Sequence, residues 1–169
     1  MKTLLPFVLA LIPFVFAGPL TIVDQNSKLP TIVERASSIK RLSTLITAVQ
    51  KAGLVKTLNG KGPFTVFAPD NAAFNKISKD TLSNLLEKTN KGQLQRTLLR
   101  HVVARKVMAA DIPSDTIDVP TAGGEKIEII SSADGVIIKS STGMAKVIAT
   151  DYMGSNGVIH IIDTVLTNP

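Results

Sequence analysis

The apolar residues of this chain change their period near position 103, and that change restricts the fold more than any other feature. Before it, Ile39, Leu42, Leu45, Ile46, Val49, Leu54, Val55 and Leu58 recur at three- and four-residue spacing with Lys and Thr between them. This is the pattern of an amphipathic helix burying one stripe. Ser37 or Ser38 is placed to cap its start, and Gly53 or Asn59-Gly60 to end it. Gly62-Pro63 introduces Phe64 to Ala68, a short β-branched and aromatic run that reads as a buried strand. Asp70 or Asn71 can cap a short helix carrying Ala72, Ala73, Phe74 and Ile77, and Asp80 another carrying Leu82, Leu85 and Leu86. Lys91-Gly92 then separates a third helix, with Leu94, Leu98, Leu99 and Val102 on its apolar face.

After Val103 the helical period is lost. Residues 115–119, 125–131, 136–139, 145–150 and 157–165 are short Val/Ile-rich runs, parted by Gly123-Gly124, Asp134-Gly135, Gly143 and Asn156-Gly157. These read as strands joined by turns, with Asp134-Gly135 the strongest hairpin signal and Asn156-Gly157 a turn whose residues both tolerate positive φ. A helical N-terminal half followed by a strand-rich C-terminal half predicts an α+β domain with an antiparallel or mixed sheet, not a repeating βαβ fold.

The ends set the compartment. Met1-Lys2-Thr3 is a short basic region, Leu4 to Phe16 an apolar run, and Ala17 a cleavage position, which together read as a secretory signal peptide over residues 1–17. The run is too short for a membrane span and carries Pro6 and Pro13. Residues 18–27 form a leader and 28–169 a single domain. Removal of Lys2 with the signal would lower the net charge from +6 to +5. The terminal Thr167-Asn168-Pro169 has no apolar tail, so no membrane anchor is expected. With no cysteine in the chain, disulfides, thiolate metal sites and cysteine nucleophiles are excluded, and the domain must be held by burial of its Val, Ile and Leu.

Two segments go beyond generic patterning. Residues 62–74, Gly-Pro-Phe-Thr-Val-Phe-Ala-Pro-Asp-Asn-Ala-Ala-Phe, resemble the first signature of fasciclin domains. Residues 156–166, Asn-Gly-Val-Ile-His-Ile-Ile-Asp-Thr-Val-Leu, resemble the C-terminal one. Between them, Leu99-Arg100-His101-Val102-Val103 stands where the family has a Tyr-His-Val-Val stretch, with Arg100 for the Tyr and Ala104-Arg105 for a following Pro-Gly. Met108 to Ile112 resembles the next Ala-Asp-Leu. The resemblance covers roughly residues 28–168. It implies a fasciclin-like fold, a β-sheet wedge or sandwich flanked by helices, in a secreted protein of cell adhesion or extracellular matrix. It gives Phe67, Pro69, Asp70, Phe74, His101, Asn156, Gly157, His160 and Asp163 structural roles.

In adhesive members, Asp-Ile and a hydrophobic residue precede the C-terminal signature and are implicated in integrin recognition. Here the triplet is Asp151-Tyr152-Met153. An exposed carboxylate can complete the coordination of a cation held by an integrin-like receptor, while an apolar neighbour fills a pocket.

A second candidate is basic. Lys88, Lys91, Arg96, Arg100, Arg105 and Lys106 cluster in sequence, and Arg96 and Arg100 share a helix face. Outside a cell this points to polyanions such as sulfated glycans or mineral matrix. One Tyr and no Trp leave little for stacking bases, which argues against nucleic acid. A carrier of small apolar ligands is a third reading. His101 and His160, the two histidines, have no nucleophile or carboxylate arranged beside them by the sequence. With no phosphate loop or metal-ligand spacing either, neither an enzyme, a cofactor nor a metal is expected.

Overall fold

The computed structural model describes residues 29–167, so the segments read as signal peptide and leader lie outside the described residues. The stretch read as an amphipathic helix ending at Gly53 or at Asn59-Gly60 forms several pieces, and the longest ends at Gly53. Helix α1, Ile32–Ser37, starts on a capping box: the Thr31 hydroxyl accepts from the Glu34 N–H and the Glu34 carboxylate from the Thr31 N–H. Ser37 ends α1 and Ser38 is its C-cap, so neither caps the helix that follows. A 3-10 turn, Lys40–Leu42, leads into α2, Ser43–Ala52. Gly53, at φ 73°, ends α2 in the left-handed region that glycine enters without steric cost, and α3, Val55–Leu58, is a separate turn.

Strand β1, Phe64–Pro69, follows, and Asp70 caps α4, Asn71–Asn75, by accepting from the Ala73 N–H at 2.8 Å. Helix α5, Lys79–Leu86, is capped by Ser78; Asp80 lies in its first turn instead, where a carboxylate faces the positive end of the helix dipole. Lys91 and Gly92 are the first residues of α6, Lys91–Arg100, and the break before it falls on Glu87 and the 3-10 turn Lys88–Asn90. A glycine costs little in a first turn, whose N–H groups have no intrahelical partner in any case.

The remaining strands are β2 (Val102–Val103), β3 (Thr116–Pro120), β4 (Lys126–Ser132), β5 (Gly135–Ser140), β6 (Gly143–Gly154) and β7 (Gly157–Ile162). They form one seven-stranded sheet in the order β2-β1-β7-β6-β5-β4-β3. It is mixed, β1 and β7 being the parallel pair. The β4–β5 hairpin turns at Ala133-Asp134, with Gly135 at φ 119° opposite Ser132. β6 pairs with β5 through its first half and with β7 through its second, shifting register between Val147 and Ala149 and again between Ala149 and Tyr152. Such bulges bend a strand and increase its twist. A bridge between Val103 and Thr121 then brings the two ends of the sheet together into a nearly closed wedge.

β7 is buried along its whole length and feeds two cores. Ile159 and Ile161 join Leu42, Leu45, Val49, Phe74 and Leu98 beneath the helices, while Ile162 joins Phe67, Val119, Ile129 and Ile138 inside the wedge. Gly157 starts this strand for reasons of space, not of positive φ: a Cβ there would run into the carbonyl of Phe64 on the neighbouring strand. Asn156 ties the surrounding pieces together. Its Oδ1 accepts from the Ile32 N–H at 2.9 Å, and its Nδ2 donates to the carbonyls of Leu58 and Gly60 at 2.7 and 2.8 Å. One side chain thus closes α1, α3 and the approach to β1.

Candidate functional site

The bulged part of β6 holds Asp151 at φ 59°, and no other non-glycine residue among those described has a positive φ. Aspartate tolerates this region better than most side chains, and its surroundings fix it there. Its N–H donates to His160 Nδ1 at 3.3 Å, and its Oδ1 accepts from the Ala109 N–H at 3.0 Å. His160 Nε2 lies 2.7 Å from the Val107 carbonyl. Because Nδ1 accepts a backbone N–H, the pattern assigns the ring proton to Nε2, which donates to Val107. The ring is 1 % exposed and stacks on Phe67 with centroids 5.6 Å apart. Segment 107–109 is therefore pinned to the sheet by two bonds, one to each member of the Asp151–His160 pair.

The Asp151 side chain is 36 % exposed. Tyr152 and Met153 are half-buried and pair with Ile159 and Val158 of β7, and Tyr152 packs on the helical core. The sequence-predicted triplet thus sits on a paired, bulged strand, with its carboxylate partly open and its two neighbours partly covered.

His101 ends α6 with the opposite tautomer. Nδ1–H donates to the Thr97 carbonyl at 2.7 Å and Nε2 accepts from the Leu166 N–H at 2.9 Å, which fastens the C-terminal segment to the helix. Burial lowers its pKa to about 4, with Arg100 adding repulsion and the Thr97 carbonyl partly opposing. At Asp163 burial would raise the pKa. Bonds from the Lys146 N–H and the Thr164 hydroxyl, with the Lys76 ammonium nearby, outweigh it and hold the carboxyl below its usual range. Asp70, 4 % exposed, accepts from both Ala73 and the Arg41 guanidinium. Phe67 and Phe74 are core residues, and Pro69 pairs with Ile162.

Arg96 and Arg100 share no cleft with Lys106. Arg96 and Arg100 line a cleft of about 460 Å³ beside α5. Arg100 Nη2 is bonded to Glu125 Oε1 at 2.7 Å. Lys106 lines a different cleft, of about 180 Å³, with Lys61 and Asn156. The Lys91 side chain lies over Gly53 at the end of α2, and the Arg105 carbonyl accepts from the Thr65 hydroxyl. Sequence reasoning missed Glu125 as the partner of Arg100, which no local pattern marks. It also missed Gln93 and Thr97, whose spacing from Arg96 and Arg100 on one helix could have revealed them. An apolar crevice under α1, lined by Ile32, Leu45, Val49, Val66 and Ile159, has about 20 Å³ of space, the scale of a single water. Among the described residues no His, Asp and Glu converge in a group suited to hold a metal ion, and no helix is long and apolar enough to cross a membrane.

Comparison with known proteins follows the same lines. The family model of the fasciclin domain matches residues 40–168. Protein sll1483 of Synechocystis is 42 % identical over 139 residues, covering 82 % of this chain and 74 % of that protein. Transforming growth factor-beta-induced protein ig-h3 of Sus scrofa is 33 % identical over 139 residues, which is 82 % of this chain and 19 % of that one. Among solved structures, a FAS1 domain pair from the insect cell adhesion molecule fasciclin I superposes with a TM-score of 0.72. It is 20 % identical, and the match covers 82 % of this chain and 51 % of that one, a likeness of fold.

Proposed function

The chain belongs to the fasciclin domain family, and on that premise we propose that it is a secreted, single-domain adhesion or matrix protein that works by surface recognition. The signal-like residues 1–17 and the likeness of fold to a cell adhesion molecule support export and an extracellular role. The observation that carries the reading is Asp151. It is a partly exposed carboxylate on a strand, held in a left-handed conformation by Ala109 and His160. Its Oδ2 carries no hydrogen bond among the described residues. In the proposed contact this oxygen completes the coordination of a cation held by an integrin-like receptor, and the partly exposed Tyr152 and Met153 supply apolar contact. Recognition is favoured over catalysis because the hydrogen-bonded nitrogens of His101 and His160 all engage backbone groups.

Cell attachment to surfaces coated with the purified protein tests this. Asp151→Asn keeps an oxygen for the Ala109 N–H and tolerates the left-handed backbone, so the fold survives while the charge is lost. Attachment should fall about tenfold, the effect expected for one charge-assisted contact. No attachment by the wild-type protein at any coating density, or equal attachment by the variant, would refute it.

A further inference from the structure

The cleft beside α5 shares no residue with the Asp151 surface. Along α6, Gln93, Arg96, Thr97 and Arg100 stand three and four residues apart on one face. Thr81 of α5 stands among the other lining residues. Thr167 also lines it, next to Leu166, whose N–H is bonded to His101. Among the described residues, none that lines the cleft is acidic and none is aromatic.

Two observations give this cleft a chemical preference. The Arg100 side chain is 15 % exposed and clamped by Glu125 through Nη2, while its Nε is buried without a partner. A buried donor left unmatched destabilises the folded chain. Arg96, one turn earlier, is exposed and takes part in no ion pair among the described residues. Two guanidinium groups one turn apart match the oxygens of a carboxylate or sulfate better than a point charge does. The amide of Gln93 and the hydroxyls of Thr81 and Thr167 can meet neutral hydroxyl groups around that anion. No aromatic ring offers a platform for a nucleobase or for the apolar face of a neutral sugar. The volume of about 460 Å³ suits a small ligand.

We propose that this cleft binds an acidic saccharide, its anion held by Arg96 and Arg100 and its hydroxyls by Gln93 and the threonines. The proposal does not rest on the adhesion reading, because Asp151 takes no part in it. Calorimetric titration of the full secreted chain with a heparin tetrasaccharide, rich in sulfate esters, and with a tetragalacturonate, which carries carboxylates alone, tests it. Saturable one-to-one binding is expected with at least one of them, and the tighter arm identifies the anion. Arg96→Ala, at an exposed position, should weaken binding about tenfold. Lys106→Ala, in the other cleft, should change it by less than about twofold, since a distant exposed charge is screened by salt. Failure of both saccharides to bind, or equal weakening by the two substitutions, would overturn the proposal, the second by reducing binding to general attraction by a basic protein.

Discussion

Acid should loosen this domain through His101 in a window set by the burial of one ring. In the folded chain its pKa is about 4, against 6.5 for an unperturbed histidine, and burial is the main cause. The unfolded chain therefore binds a proton first as pH falls. The stability linked to His101 is fully present above about pH 6.5, is lost progressively between there and pH 4, and changes no further below it. The shift, at 1.36 kcal/mol per unit, amounts to about 3 kcal/mol, a large part of a typical stability of about 5–15 kcal/mol. Protonation also turns Nε2 from acceptor to donor, so the Leu166 N–H loses its partner and the C-terminal segment its tie to α6. Urea unfolding of the wild type and of His101→Gln, followed by circular dichroism at pH 7, 6, 5 and 4, measures this. The difference between them removes contributions from other groups. The wild type should be the more stable at pH 7, and its advantage should shrink by about 3 kcal/mol by pH 4. A difference that stays constant across the range would refute the reasoning. Asp163, with its carboxyl held below its usual range, acts in a lower window: its contribution is present above the ordinary carboxylate value and is lost as pH falls through the depressed one.

Two further substitutions test the junction of the first and last strands. Gly157→Ala places a methyl group against the backbone of Phe64, which cannot move without parting β1 from β7. Loss of more than about 3 kcal/mol, or failure to fold, is expected, read by thermal melting. Asn156→Ala removes three hydrogen bonds and leaves the Ile32 N–H and the Leu58 and Gly60 carbonyls unmatched. A cost of about 2–4 kcal/mol in chemical denaturation should follow. A cost under about 0.5 kcal/mol would show that water replaces the side chain.

What the sequence made legible follows from which interactions are local. Short β-branched and aromatic runs between turn residues located β1, β3, β4, β5 and β7 to within a few residues, whereas β6, read as 145–150, extends over Gly143–Gly154. The Asp70 cap was readable because its partner is three residues away. The breaks around α2 and α3 were read less well. A continuous apolar stripe runs across Gly53, and the groups that close α3 come from Asn156, 98 residues beyond Leu58. Helix α1 does carry a local signal, Thr31 and Glu34 in capping-box spacing after Pro30. At the candidate sites the Arg96–Arg100 face could be proposed from spacing, and the triplet from its place before the segment that resembles the C-terminal signature. The separation of Lys106 from them could not, because it depends on how β2 and the loop after it lie across β1.

The backbone of Asp151 connects the fold to the proposed contact. A non-glycine residue in the left-handed region is strained by about 1–3 kcal/mol and persists only where its surroundings over-determine it. Here the constraints come from two sides: His160 receives the backbone N–H, and Ala109 donates to the carboxylate. His160 is held in turn by Val107 and by the face of Phe67. The two segments that resemble the family signatures supply Phe67 from one end of the domain and His160 from the other, and both brace this bulge. For a surface meant to meet a partner, such bracing lowers the ordering cost of binding, because the carboxylate is held in one geometry before contact. On this argument Phe67→Leu, which removes the ring beneath His160, should weaken attachment even though residue 67 is buried and touches no partner. Amide exchange at Asp151 and Ala109 should rise in parallel. Weaker attachment with unchanged exchange would mean that the bulge is not what Phe67 supports.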